Sequence, residues 1–76
     1  MSKASKREDL AVRLGRRIKE LRLAKGFTQV EMSAASGLGQ AYLSRVEAGS
    51  KRLSIDSLEA VAVALDMSLS ELLKGV

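Results

Sequence analysis

The chain has 76 residues, no cysteine, no histidine and a net charge of +4, a size at which a single domain is near the lower limit for an independent core, so burial against a partner is an expected supplement. Without cysteine there is no disulfide and no thiolate metal site, and without histidine the commonest general base and metal ligand are missing; an enzyme is not expected and no cofactor is called for. No apolar run approaches the roughly 20 residues that span a bilayer, and the N-terminus lacks a signal-peptide stretch, so the expected compartment is the cytoplasm.

Residues 1–6 are polar and basic without periodicity and read as a flexible arm, leaving residues 7–76 as one domain. Over residues 7–25, Leu10, Leu14, Ile18 and Leu21 recur at spacings of four, four and three, one stripe of a first helix. Gly26 ends it, and Phe27 plugs the core at the bend. Thr28 with Glu31 three positions on is a capping box that starts a second helix at Gln29. Gly37 follows about two turns later, where a helix end favours a left-handed residue, and Leu38 gives an apolar anchor before the chain restarts. A third helix runs from Gln40 to Glu47, with Leu43 and Val46 on one face and Gln40, Ala41, Ser44 and Arg45 on the other. Residues 49–53 form a basic loop; Ser54 then caps a fourth helix whose buried stripe is Ile55, Leu58, Val61, Ala62 and Leu65. Ser68 and Glu71 repeat the capping-box spacing before Leu72 and Leu73, a short fifth helix. The class is all-α, with no repeat and no linker.

Charge is unevenly spread. Residues 1–26 carry nine basic and three acidic side chains, a balance of +6, whereas residues 54–76 carry one basic and four acidic, a balance of −3. A polyanion is expected at the first half of the chain, with the acidic end facing away and available for self-association. For any one of Arg13, Arg16, Arg17 or Lys19, plain solubilisation of the first helix explains the charge equally well.

Two short helices hinged on Gly37, the second with a polar outer face, have the layout of a helix-turn-helix. In chain order, Leu21-Arg22, Lys25-Gly26, Thr28-Gln29, Gly37, the run Tyr42-Leu43-Ser44-Arg45-Val46-Glu47, Gly49, Ala64-Leu65 and Ser68 to Leu73 resemble the lambda-repressor and Cro superfamily, in particular the XRE type of small bacterial regulators. The resemblance covers residues 14–73. The size and the sequence from Ser36-Gly37-Leu38 through Val46-Glu47 to Ala64-Leu65-Asp66 are similar to restriction-modification controller proteins, although Asp66 replaces a glycine common in the family. This implies a five-helix domain with the helix-turn-helix at its second and third helices, a double-stranded DNA operator as partner, and a transcription regulator or repressor as function.

On that reading Gln29, at the first position of the second helix, meets a phosphate or is an ordinary first-turn residue. Gln40 pairs with an adenine edge or reaches a phosphate, and Arg45 has the fork that reads guanine. Ser44 is small enough to admit the groove floor, and Ala41 meets a thymine methyl. Gly39, at the N-cap of the third helix, permits close approach to the backbone or is merely a tolerable cap. Tyr42, whose amphipathic ring fits the core, a dimer edge or a phosphate contact, is expected to pack its ring and offer its hydroxyl to a phosphate. Family resemblance implies that Lys51 and Arg52 grip the DNA backbone, where they otherwise only solubilise the loop, and that Arg22 and Glu47 form a partly buried ion pair that orients the third helix, where they are otherwise two unrelated surface charges.

One module makes three or four base contacts, so useful specificity calls for two subunits on a pseudo-palindromic site. Leu69, Leu72, Leu73 and Val76 are the expected homodimer surface, unless they only close the monomer core. Two other classes stay open: an antitoxin, whose second partner is a toxin protein, and a protein-interaction adaptor; RNA polymerase is a further possible contact. Gene neighbourhood separates antitoxin from controller. An adaptor needs neither the basic half nor Gln40 and Arg45 on one face.

Overall fold

The computed structural model describes residues 9–76; the expected arm, residues 1–6, lies outside them. The described residues form five helices: α1 Leu10–Ala24, α2 Gln29–Ser36, α3 Gln40–Glu47, α4 Ile55–Ala64 and α5 Leu69–Leu72. Helix α1 begins at Leu10, and residues 7 and 8, where its start was expected, lie outside the described residues. Asp9 caps it, its carboxylate accepting the Ala11 N–H at 2.8 Å. The capping boxes at Thr28/Glu31 and Ser68/Glu71 form as the sequence spacing requires, with each hydroxyl accepting from the third helical N–H and each glutamate accepting from the cap's own N–H.

Every helix gives the core at least one buried side chain: Ile18 from α1, Met32 from α2, Leu43 and Val46 from α3, Val61 and Ala62 from α4, and Leu72 from α5, with Leu65 just beyond α4. Phe27 and Leu53 each immediately precede an N-cap residue and pack against this core, as do Met32 and Leu58 four positions inside the two helices, the arrangement that sets the angle at which a chain enters a helix.

Ile55 departs from its expected place. It is 80% exposed, because the first turn of α4 overhangs the core and Leu53, before the cap, takes the inward position. Leu10 is likewise half exposed at the overhanging start of α1. Gly15 sits where α1 crosses α3, and a Cβ there would run into the Val46 carbonyl and lie 3.1 Å from that of Glu47. The absent side chain lets the two helix backbones touch. Asp66 holds φ +57° at the end of α4, so an aspartate fills a left-handed position that glycine would occupy more cheaply.

The arginines of α1 have a use that charge counting missed. Arg17 donates from Nε to the Leu72 carbonyl at 3.0 Å and from Nη2 to that of Glu71 at 2.7 Å, while Arg13 donates to the Val76 carbonyl at 2.9 Å. Arg17 caps the open end of α5, where helix carbonyls lack intrahelical donors and a cation is favoured, and Arg13 holds the Val76 carbonyl beyond it. Part of the basic half therefore ties down the C-terminal segment of the fold.

Candidate nucleic-acid interface

Helices α2 and α3 meet at Gly37, whose φ of +77° ends α2 in a left-handed turn that an L side chain would strain. The turn is braced from both sides: Ser33 Oγ donates to the Leu38 carbonyl at 2.5 Å, and Ser36 Oγ accepts the Leu38 N–H at 3.2 Å. Leu38 itself packs against the core. Gly39 caps α3 without a side-chain hydrogen bond.

With Leu43 and Val46 buried, α3 turns Gln40, Ala41, Ser44 and Arg45 to solvent. Four exposed residues on two successive turns make a face that carries donors and acceptors at its ends and small groups at its middle. Such a face can enter a major groove and hydrogen-bond to base edges.

Below that face lies a buried polar knot. Arg22 donates from Nε to Glu47 Oε2 at 2.6 Å and from Nη2 to Oε1 at 3.0 Å, a bidentate pair whose side chains are only 8% and 3% exposed. Its Nη1 donates to the Phe27 carbonyl at 2.7 Å, and Gln29 Nε2 donates to Glu47 Oε1 at 3.1 Å. The end of α1, the turn before α2, the first residue of α2 and the last residue of α3 are thus fastened at one point. A fork-to-carboxylate pair fixes orientation as well as distance, so α3 is held against roll as well as translation. Gln29 spends one amide hydrogen on Glu47 and keeps a second for an outside acceptor.

The basic loop is attached to the same helix. Ser50 N–H and Oγ both donate to the Arg45 carbonyl, at 3.0 and 3.2 Å, and Tyr42 Oη donates to that of Arg52 at 3.4 Å. The Tyr42 ring packs on the core, as its amphipathic character led us to expect, while its hydroxyl makes this long, exposed hydrogen bond to the loop. Lys51 and Arg52 are exposed. Arg52 Nη2 lies 3.0 Å from Asp9 Oδ2, a contact that no sequence pattern announced across 43 residues. The Ala11 N–H, chiefly, holds the Asp9 carboxyl below the usual aspartate range; desolvation opposes it, and the charge and hydrogen bond of Arg52 add smaller lowering effects.

Of the four residues expected at a subunit interface, Leu72 is fully buried in the protomer and cannot serve there. Its place on the inner side of α5, against α4, closes the core. Leu69 and Leu73 are 37% and 40% exposed, and Val76 is half-buried. Large apolar side chains also stand out at Ile55 and Val63 on α4, the latter 71% exposed, neither of which the sequence reading placed on the surface. Among the described residues no helix is long and apolar enough to cross a membrane.

Comparison with known proteins agrees with this geometry. The helix-turn-helix family model HTH_3 matches residues 18–72. The control protein C.MunI of Mycoplasma sp. is 32% identical over 69 residues, covering 90% of this chain and 93% of that one. The crystal structure of the restriction-modification controller protein C.AhdI from Aeromonas hydrophila superposes with a TM-score of 0.79 at 39% identity, over 82% of this chain and 94% of the other. That of the controller protein C.Esp1396I, a tetramer in complex with its natural 35 base-pair operator, superposes with a TM-score of 0.82 at 32% identity, over 90% of each chain.

Proposed function

The chain belongs to the helix-turn-helix family of transcriptional regulators, and from that footing we propose that it binds a pseudo-palindromic operator as a homodimer and controls transcription in the manner of a restriction-modification controller protein. The observation that carries this reading is the exposed α3 face of Gln40, Ala41, Ser44 and Arg45, held from behind by the Arg22–Glu47 pair. Gln40 and Arg45 read base edges, Ala41 and Ser44 admit the groove floor, and Gly39 lets the backbone come close. Gln29 uses its remaining amide hydrogen, and Lys51 and Arg52 their charges, on phosphates. Tyr42 supports the loop through its hydroxyl, on the side from which a phosphate approaches.

Residues 7–76 act as one DNA-binding and dimerising domain. No catalysis is involved and the cytoplasm is the working compartment. The dimer surface is built from Leu69, Leu73 and Val76, extended by Ile55 and Val63; two such domains place their α3 helices in successive major grooves about 34 Å apart.

The test is a comparison of two duplexes, one selected from a random library by the wild-type protein and one of random sequence. Arg45→Ala should cost about 1 to 3 kcal/mol on the selected duplex and little on the other. Lys51→Ala should weaken both alike and flatten the dependence of log affinity on log salt by about one unit. Equal losses for Arg45→Ala on both duplexes would remove it from base reading, and absence of a selectable sequence would end the proposal.

A further inference from the structure

Arg52 presents an apparent conflict. Its side chain is 73% exposed on the loop that follows the recognition helix, yet its Nη2 is engaged by the carboxylate of Asp9, an anion beside a cation proposed to meet a phosphate. A surface ion pair of this kind is ordinarily worth little and wanders among rotamers. This one is anchored. Asp9 Oδ1 accepts the Ala11 N–H at 2.8 Å, which fixes the carboxylate to the first turn of α1 and leaves Oδ2 as a stationary acceptor for Arg52 at 3.0 Å. At its other end the Arg52 main chain holds the Tyr42 hydroxyl of α3 through its carbonyl, and the next residue, Leu53, packs against the core. The backbone and one fork tip of Arg52 are therefore both located relative to α3. Asp9 holds only that tip, and a guanidinium has five N–H donors in a rigid fork.

We infer that Asp9 is a specificity-determining positioning residue: its anchored carboxylate holds the Arg52 fork in the one place that suits a phosphate when α3 sits in register on its operator, and it repels phosphates at other registers. The inference rests on the proposed role of Arg52 as a backbone contact. In the correct register a phosphate meets a fork whose rotamers are already fixed, so less conformational freedom is lost on binding. Out of register the fork cannot swing to follow the phosphate without leaving Asp9, and the uncovered carboxylate then adds a like charge beside the polyanion. The same side chain raises affinity at the operator and lowers it elsewhere. Discrimination is thereby obtained from a residue that touches no base.

Asp9→Asn tests this cleanly, because asparagine caps a helix about as well as aspartate and so keeps α1 intact while removing the charge. Wild type, Asp9→Asn, Arg52→Ala and the double variant are titrated by fluorescence anisotropy against the selected duplex and a random duplex of equal length. Asp9→Asn should weaken binding to the selected duplex by about two- to fivefold, the range expected for a surface pair, and tighten binding to the random one. In the Arg52→Ala background the same substitution should leave affinity for the selected duplex no weaker. Arg52→Ala without effect on either duplex would remove Arg52 from the backbone contacts and the premise with it. Arg52→Ala weakening both duplexes, while Asp9→Asn shifts both by one common factor or lowers selected-duplex affinity equally in the Arg52→Ala background, would leave the premise standing and overturn the role of Asp9.

Discussion

Replacing Glu47 by alanine should bring this small domain close to unfolding. Three hydrogen bonds converge on the Glu47 carboxylate, two from Arg22 and one from Gln29, and its side chain is only 3% exposed. Truncation leaves the Arg22 guanidinium, 8% exposed in the wild type, with the Phe27 carbonyl as its acceptor and no counter-ion in the knot. Stranding one charge of a buried pair costs about 3 to 5 kcal/mol, whereas a chain of 76 residues has a total stability of about 4 to 11 kcal/mol. Urea denaturation followed by circular dichroism measures the difference; with a slope of about 1 kcal/mol/M, the midpoint should fall by roughly 3 M or more, or the variant should be unfolded without urea. Replacing both partners together, Arg22→Met with Glu47→Leu, should recover much of the stability, since an apolar pair of similar volume strands no charge. Operator affinity should not recover with it, because neither methionine nor leucine fixes the roll of α3 or accepts from Gln29. A loss below about 1 kcal/mol in Glu47→Ala would mean that the pair is solvated in solution. Full operator binding by the double variant would show that packing alone orients α3.

Gly15→Ala sets helix propensity against sterics: alanine in a helix interior is ordinarily better than glycine by about 1 kcal/mol, but the added Cβ meets backbone of α3, so a net loss of about 1 to 3 kcal/mol and weaker operator binding are expected. A stabilised variant in urea denaturation would refute the contact. Leu73→Glu should give a folded monomer by sedimentation equilibrium at micromolar concentration, keeping weak binding to random DNA; an unfolded variant, or a monomeric wild type, would remove Leu73 from a subunit interface. The hydrogen bond from the Ser68 N–H, and then that from its hydroxyl, hold the Glu71 carboxyl below the usual glutamate range. A folded-state value below the unfolded one means that the cap contributes stability above the unfolded value and loses it as pH falls through the folded one, so α5 should fray on acidification. The NMR titration midpoint of Glu71 should lie below that of a peptide glutamate and move up in Ser68→Ala; an ordinary midpoint in the wild type would contradict the capping box.

How far the sequence reached depended on the range of the interaction. Helix boundaries at Gln29 and Leu69 were legible because a cap and its partner lie three residues apart, and the left-handed stop at Gly37, after which the chain restarts at Gln40, because it is a property of one residue and its neighbours. The division of α3 into a buried Leu43–Val46 side and an exposed Gln40, Ala41, Ser44 and Arg45 side was legible from helical period alone. Periodicity failed at helix ends: Ile55 and Leu10 have the right phase but project beyond the core, and Leu72, assigned to an interface, fits wholly inside. Phase fixes the direction of a side chain, whereas the extent of the neighbouring helices decides whether anything lies there to cover it.

Charge was the least legible feature, because an arginine's role depends on which acceptor is within reach after folding. The composition of residues 1–26 indicated a cationic surface, but the fold spends Arg17 on the carbonyl end of α5 and Arg13 on the Val76 carbonyl beyond it, and covers Arg22 with Glu47. The Arg22–Glu47 connection came from resemblance and not from spacing, and the Asp9–Arg52 contact came from neither, since 43 residues separate partners whose types are common on any surface. The sequence by itself determined where the helices start and stop and which face of α3 is polar, because those depend on local hydrogen bonding and helical period. Only the tertiary structure decided which charges are left for DNA, because that depends on the carbonyls and carboxylates that packing brings within about 3 Å of each guanidinium.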